Sequence, residues 1–181
     1  MTATPSPWSR ALAWHRRAAL AFVESLEAVP EERWSEPLAA GKWTVAQLAE
    51  HIELSYSTAL AALAGGPGMR LVLPWWKTQF LRLTVLRRIL AGRGFPEGAP
   101  APREIRPGKT PAAREPAIAA LRARLIEIER ALAAAPPHRR LPHAYFGMLR
   151  SEQLLGVQAA HLDHHRRQLE RLRSAVLSAS L

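Results

Sequence analysis

The chain contains no cysteine among its 181 residues. Disulfide bonds and thiolate metal sites are therefore excluded, and any bound metal ion must be held by nitrogen and oxygen ligands.

Long apolar runs are also missing. No stretch reaches the ~20 apolar residues that a membrane-spanning helix needs. Arg10, His15 and Arg16 interrupt the N-terminal segment before it attains the apolar core of a signal peptide. We therefore expect a cytoplasmic protein.

Acidic residues are scarce relative to basic ones, with 15 Asp and Glu against 25 Lys and Arg and a net charge of +10. Such an excess favours non-specific attraction to nucleic acid or anionic lipid. The sequence has no helix-turn-helix spacing, no zinc-finger pattern and no aromatic-rich strand that would contact bases. We therefore predict no specific nucleic-acid partner and interpret the scattered arginines as a solvated surface.

Length and hydrophobic content favour one folded domain over residues 1–181, since 48% of the residues are hydrophobic. Apolar residues recurring every three or four positions predict an all-α protein. The predicted bundle helices span about 7–28, 44–64 and 112–135, with the last starting near 151. No strand-like alternation, internal repeat or phosphate-binding glycine loop is found. In the first helix, Trp14 is assigned to packing and His15 to a polar flank.

The last predicted helix carries the sequence HLDHHRRQ at residues 161–168. His161 and His165 are four residues apart, so their side chains share one helix face. That face is an inward stripe of residues 154, 158, 161, 165, 169, 172 and 176. Two imidazoles one turn apart can chelate a transition metal. A hydrogen-bonded core pair or a solvated edge remains the alternative. A pair of His161 and His164 is also geometrically available, although His164 falls off the stripe.

A third nitrogen is available on the second helix, which a Thr44–Gln47 capping box begins. His51 points inward with Leu48 and Ile52. Alone, such a histidine is a packing residue more often than a ligand, but in a bundle with His161 and His165 it becomes the natural third ligand. Four polar neighbours are candidates to brace the imidazole rings: Glu50, Asp163, His164 and Gln168. Glu53 also flanks His51 and is expected to face solvent.

Residues 70–93 contain six basic residues and no acid, with Trp75, Trp76 and Phe80 at helical spacing. Such a segment can lie on an anionic membrane surface, pack against a second copy of the chain, or cap the bundle as a crossover helix. We favour the cap, because so much apolar area normally packs against protein.

Residues 92–111 form a loop rich in proline and glycine that follows this segment. It exceeds the usual connection in a compact domain and is predicted to be a flap or a mobile loop. In the later linker, His138 is expected to be exposed. His143 is placed near the site without a helical spacing to fix it.

Two stretches, GKWTVAQLAEHI at 41–52 and HAYFGMLRSEQLLGVQAAHLDHHRRQL at 143–169, resemble the DinB/YfiT-like superfamily, in particular its DinB_2-type branch. The shared features are a W-[ST] start to the second helix, which ends in a histidine, an FG-x-L turn, and H-x-x-H-H-x-x-Q in the final helix. The departures are Arg167, where many relatives have glycine, and the turn PHAYFG in place of HPYFG.

The resemblance implies an all-α four-helix bundle (up-down-down-up) with a long helical crossover between the second and third bundle helices. It implies that His51, His161 and His165 bind a divalent metal, usually nickel or zinc. It also implies a homodimer, for which residues 70–93 are the candidate contact.

Three functional interpretations follow. The first is an enzyme, either a metal-dependent hydrolase or a transferase of low-molecular-weight thiols, in which three histidines leave an open coordination position for a small-molecule substrate. The second is a non-catalytic metal- or ligand-binding bundle. The third is a membrane- or partner-binding protein that acts through residues 70–93. No catalytic nucleophile stands out in the sequence.

Overall fold

The computed structural model describes residues 4–96, 98, 100–110 and 112–179 of the chain. Its helices in chain order are α1 (Pro7–Glu27), α2 (Val45–Leu63), α3 (Trp75–Leu81), α4 (Arg87–Leu90), α5 (Arg114–Ala134) and α6 (Ser151–Ala179). The four long helices, α1, α2, α5 and α6, form a bundle in which α1 packs mainly on α6 and α2 on α5. This confirms the predicted all-α four-helix bundle. None of the helices within the described ranges is long and apolar enough to cross a membrane.

Local sequence signals explain where the bundle helices begin. Ser6 caps α1 by accepting a hydrogen bond from the Ser9 amide, and Pro7 supplies a first residue with the dihedral angle a helix needs. Thr44 and Gln47 form the predicted capping box of α2, in which each side chain bonds the other residue's amide. These caps satisfy amide groups that have no partner within the helix.

The core lies where the apolar stripes of the four long helices meet. All five residues of the predicted α5 stripe are buried: Ile118, Leu121, Leu125, Ile128 and Leu132. On α6 the inward stripe runs from Leu154 through Gln158 and His165 to Leu169, all buried, with His161 half-buried among them. The side chain of Val176, which the same stripe includes, lies outside the described residues. The inward stripe of α6 therefore contains polar side chains as well as apolar ones.

The crossover from α2 to α5 is helical in its first half. A π-helical turn, Arg82–Leu86, joins α3 to α4 without a break. Leu86 and Ile89 are buried against the bundle, whereas Trp75, Trp76 and Phe80 are exposed. The predicted cap therefore describes the second half of this segment, while its first half leaves its aromatic side chains uncovered.

A short β-hairpin precedes α6, although the sequence there has no strand-like alternation. Strands β1 (Arg140–His143) and β2 (Gly147–Arg150) are antiparallel, with Leu141 opposite Leu149. Gly147 has a φ of 65°, a left-handed conformation that glycine adopts without steric cost. The strands are four residues long and one contains Pro142, so they are too short for alternation to be visible.

The sequence-based interpretation of His15 was wrong. It is fully buried and does not form a polar flank. Its Nδ1 lies 2.8 Å from Glu129 Oε1, and its Nε2 lies 2.9 Å from the Tyr56 hydroxyl. Residues 11, 15, 18 and 22 are buried at steps of four, three and four, so His15 belongs to the inward stripe of α1. Arg16 also bonds Glu129 and links the network to the surface.

Candidate metal centre

Three imidazole rings meet between α2 and α6. The Nε2 atom of His161 lies 3.0 Å from Nε2 of His51 and 3.0 Å from Nε2 of His165. His161 and His165 face each other because they are one turn apart on α6. His51 reaches them because the buried stripe of α2 is turned inward there. The three residues that the sequence analysis selected therefore converge on one point.

The His51 ring is held by the backbone of the loop between α4 and α5, which we call the crossover loop. Its Nδ1 lies 2.6 Å from the carbonyl oxygen of Ile105, in a short 3₁₀ turn (Arg103–Ile105). A carbonyl oxygen can only accept, so Nδ1 must carry the proton and donate it. In the neutral ring the Nε2 atom is then left with a free lone pair directed at His161.

The His165 ring is held in the same way by a side chain of its own helix. Its Nδ1 lies 2.9 Å from Oε1 of Gln168, and Nε2 of Gln168 lies 3.2 Å from Nε2 of His164. With the amide in this orientation, its oxygen accepts the Nδ1 proton of His165. The Nε2 lone pair of His165 therefore also faces His161.

These contacts leave a hydrogen-bonding conflict that a cation would relieve. If His161 Nε2 carries a proton, it can donate to His51 or to His165, but not to both. At least one pair of lone pairs then meets at 3.0 Å. That separation is shorter than twice a zinc–nitrogen bond of about 2.0–2.1 Å, so one ion can contact both nitrogens of each pair. The donor set therefore fits a divalent transition metal.

Burial keeps the three imidazoles neutral. Loss of solvation lowers the pKa of His51 to about 4 and that of His165 to about 3. The pKa of His161 is also lowered, first by burial and then by repulsion from neighbouring histidines. A neutral imidazole is the form that binds a metal. The site is therefore ready to bind a cation at neutral pH without first losing protons.

The same shifts predict a pH dependence of stability for the metal-free protein. The unfolded imidazole has a pKa near 6.5, so below about pH 6.5 the unfolded chain binds protons that folded His51 and His165 do not. The free energy of unfolding should therefore fall as pH decreases, by about 2 kcal/mol between about pH 7 and pH 5.5. Urea denaturation in the presence of a chelator measures it. A free energy of unfolding that does not change over this range would contradict the lowered pKa values of His51 and His165.

Aromatic rings form the wall of the site. The Trp43 ring centroid lies 4.7 Å from that of His51, and the Phe95 centroid lies 5.6 Å from that of His161. Below the histidines, buried Gln158 is hydrogen-bonded to Ser55. The rings remove water from one side of the cluster, which strengthens electrostatic interactions within it.

The other predicted neighbours are distributed unevenly around the site. Glu50 accepts a hydrogen bond from the Gly108 amide, so it holds the crossover loop and not an imidazole. Asp163 accepts a hydrogen bond from Trp14 Nε1, and Glu53 pairs with Arg124. His164 contacts Gln168, which in turn contacts His165. Of the four candidates, Gln168 bonds a ring of the cluster directly and His164 acts through it.

Residues outside the predicted set complete the surroundings of the cluster. The carbonyl of Ile105 has no sequence signal, because every residue carries the same group. Trp43 and Phe95 were visible as aromatic residues next to predicted helix ends, but nothing in their spacing pointed to the histidines. His143 stacks on Phe146 with ring centroids 4.6 Å apart, and burial lowers its pKa to about 4. Its charge, when protonated, would repel that of His161.

Comparison with known proteins places this geometry in context. Residues 11–169 match the model of the DinB superfamily. Among solved structures, the chain is similar to that described as the crystal structure of TT2238, a four-helix bundle protein. The two are 23% identical with a TM-score of 0.52, and the alignment covers 91% of this chain and 98% of that chain. At this identity the likeness shows the fold alone. No curated protein matches the sequence.

Proposed function

The chain belongs to the DinB superfamily, and we propose that it binds a divalent transition metal through His51, His161 and His165. The observation that carries this proposal is the convergence of three Nε2 atoms. In two of these rings, His51 and His165, the Nδ1 proton is donated to a partner outside the cluster. A hydrogen-bonded histidine cluster would satisfy its nitrogens among its own members. Here one nitrogen–nitrogen contact is left without a proton.

Nickel or zinc is the proposed ion. Imidazole nitrogens suit both metals, and the chain offers no thiolate that would select a softer one. Three protein ligands are one fewer than a closed tetrahedral set, so a coordination position is left for water or substrate, as in catalytic sites. We therefore propose an enzyme acting on small molecules, either a hydrolase or a transferase of low-molecular-weight thiols.

A metal at this position would supply a Lewis acid that lowers the pKa of a bound water or thiol. The chain's own residues position the ligands. The Ile105 carbonyl orients the His51 ring, and the Gln168 amide orients the His165 ring. Trp43 and Phe95 provide an apolar wall for a substrate. Because the chain lacks cysteine, any reacting thiol must belong to the substrate.

Activity assays on metal-loaded protein test the catalytic proposal. One set follows hydrolysis of small esters and amides, and the other follows conjugation of a low-molecular-weight thiol to an electrophile. We expect turnover in one set for the wild type, its loss in His51→Ala, and its retention in His138→Ala. His138 is an exposed histidine outside the cluster, so it controls for the substitution itself. Metal bound at the cluster without turnover in either set would favour the non-catalytic metal-binding bundle instead.

A further inference from the structure

Most of the exposed large apolar side chains lie in one region of the surface. Of nine such residues within the described ranges, seven belong to the crossover or to the hairpin beside it: Leu71, Val72, Trp75, Trp76, Phe80, Leu83 and Met148. We call this set the crossover patch. Trp75 is 77% exposed and Trp76 57% exposed. Concentrated apolar area of this kind marks an interaction surface more often than scattered residues do.

The crossover patch lies on a segment whose opposite side packs against the helix bundle. Leu86 and Ile89 are buried against the bundle, and Val85 and Leu90 pack beside them. Arg82 donates to the carbonyl oxygens of Phe146 and Met148, which ties the helix to the hairpin. The outer stripe of Trp76, Phe80 and Leu83 follows steps of four and three and therefore forms one face. The aromatic side chains of the crossover patch are therefore exposed on a segment that is fixed to the bundle and to the hairpin.

The crossover segment itself carries charges of one sign, although Glu104 Oε1 lies 3.4 Å from the amide nitrogen of Arg70 at its start. Residues 70–93 contain six basic residues and no acidic one. Five of the six are exposed, namely Arg70, Lys77, Arg87, Arg88 and Arg93, and their side chains form no ion pair in the described part of the chain. The whole protein adds to this field with a net charge of +10. The complementary partner is an anionic surface.

These charges argue against a second copy of the chain as the partner. A two-fold symmetric contact would place the same residues of both copies against each other. Two segments with six basic residues each and no acid would then repel at close range. Tryptophan and phenylalanine on one side of a helix with arginine and lysine around them are typical of helices that lie in a bilayer interface.

We propose that the crossover patch docks the protein on the surface of an anionic phospholipid bilayer. The rings of Trp75, Trp76 and Phe80 enter the interface, and Arg87 and Arg88 contact the headgroups. The α3 and α4 helices lie in the plane of the surface and do not cross it. This docking does not depend on the metal, so it stands apart from the function proposed for the histidine cluster.

Vesicle sedimentation with the full chain tests the proposal. We expect the wild type to pellet with vesicles of phosphatidylglycerol and phosphatidylcholine but not with phosphatidylcholine alone, and to be released as salt is raised. The variant R87E/R88E should bind the anionic vesicles at least about 30-fold more weakly, because each basic residue near the surface contributes about 1 kcal/mol and the glutamates add repulsion. The variant W75S/W76S should also bind weakly.

A matched variant separates local docking from overall charge. R17E/R130E changes the net charge by the same amount at exposed positions on α1 and α5, and it should retain most of the binding. Equal loss in both charge variants, equal pelleting with neutral vesicles, or no pelleting at all would overturn the proposal. So would self-association of the wild type that W75S/W76S abolishes without any lipid binding. Circular dichroism verifies that each variant is folded, and His161→Ala should bind vesicles as the wild type does.

Discussion

Saturating Zn²⁺ or Ni²⁺ is expected to raise the midpoint of thermal unfolding by about 8–16 °C. A ligand at 1,000 times its dissociation constant stabilises the state that binds it by about 4 kcal/mol. In a chain of this size each kcal/mol corresponds to roughly 2–4 °C. The effect arises because the three nitrogens come from α2 and α6, so the unfolded chain does not present them together. Calorimetry with and without metal measures the shift.

The substitution His51→Ala should reduce that shift to about 2 °C or less, since the two remaining ligands are held by one helix turn that also forms in partly unfolded chains. His138→Ala makes the same chemical change at an exposed position and should leave the shift intact. An undiminished shift in His51→Ala would mean that the metal stabilises the protein from another site.

The second large effect is expected at the buried network of α1. We expect His15→Leu to lower the free energy of unfolding by about 2–3 kcal/mol, because it leaves the buried Tyr56 hydroxyl without its hydrogen-bond partner and removes one of the two hydrogen bonds to Glu129. Hydrogen bonds from His15 and Arg16 lower the pKa of Glu129 against the opposing effect of burial, so this carboxylate is charged. Urea denaturation at neutral pH measures the change.

Arg16→Ala provides the comparison for this network. Arg16 bonds the same carboxylate, but its side chain is 65% exposed, so its loss should cost less than about 1 kcal/mol. Similar losses for the two variants, or a stable His15→Leu protein, would show that the buried histidine does not hold α1, α2 and α5 together.

The helices of the bundle could be predicted because each signal for them is local. The Thr44–Gln47 capping box begins α2 as expected, and the apolar stripe of α5 is buried throughout. Proline and glycine end the helices in the same local way. The hairpin could not be predicted by these means. Its register depends on pairing between Leu141 and Leu149 and on the left-handed conformation of Gly147, neither of which produces a periodic pattern.

The histidine cluster was predictable in part. The distance between His161 and His165 follows from helix geometry alone. The approach of His51 depends on how α2 packs against α6, and in the sequence it rests on an inward-facing position and a family resemblance. The hydrogen-bond partners of the imidazole rings were also predictable only in part. Gln168 lies one turn from His164 and was among the candidates, whereas the Ile105 carbonyl belongs to a loop whose path is set by tertiary contacts.

His15 and Gln168 show how a residue's surroundings in sequence can mislead or inform. His15 precedes two arginines, which suggested a polar flank, but its spacing from Ala11, Ala18 and Phe22 matches a buried stripe. Periodicity was therefore the better guide than the neighbouring residues. The same periodicity led us to favour a cap for the whole crossover segment, although Trp75, Trp76 and Phe80 are exposed. A helical stripe of tryptophan and phenylalanine does not indicate whether protein or another surface covers it.

Elemental analysis of purified protein, after exposure to Zn²⁺ or Ni²⁺ and removal of the excess, tests the central claim most directly. The three converging Nε2 atoms predict about one ion per chain in the wild type and in His138→Ala, and close to none in His161→Ala. His161 is the decisive position because its Nε2 contacts both other rings. Equal metal content in wild type and His161→Ala, or no metal in any of the three, would contradict the assignment of this cluster as a metal site.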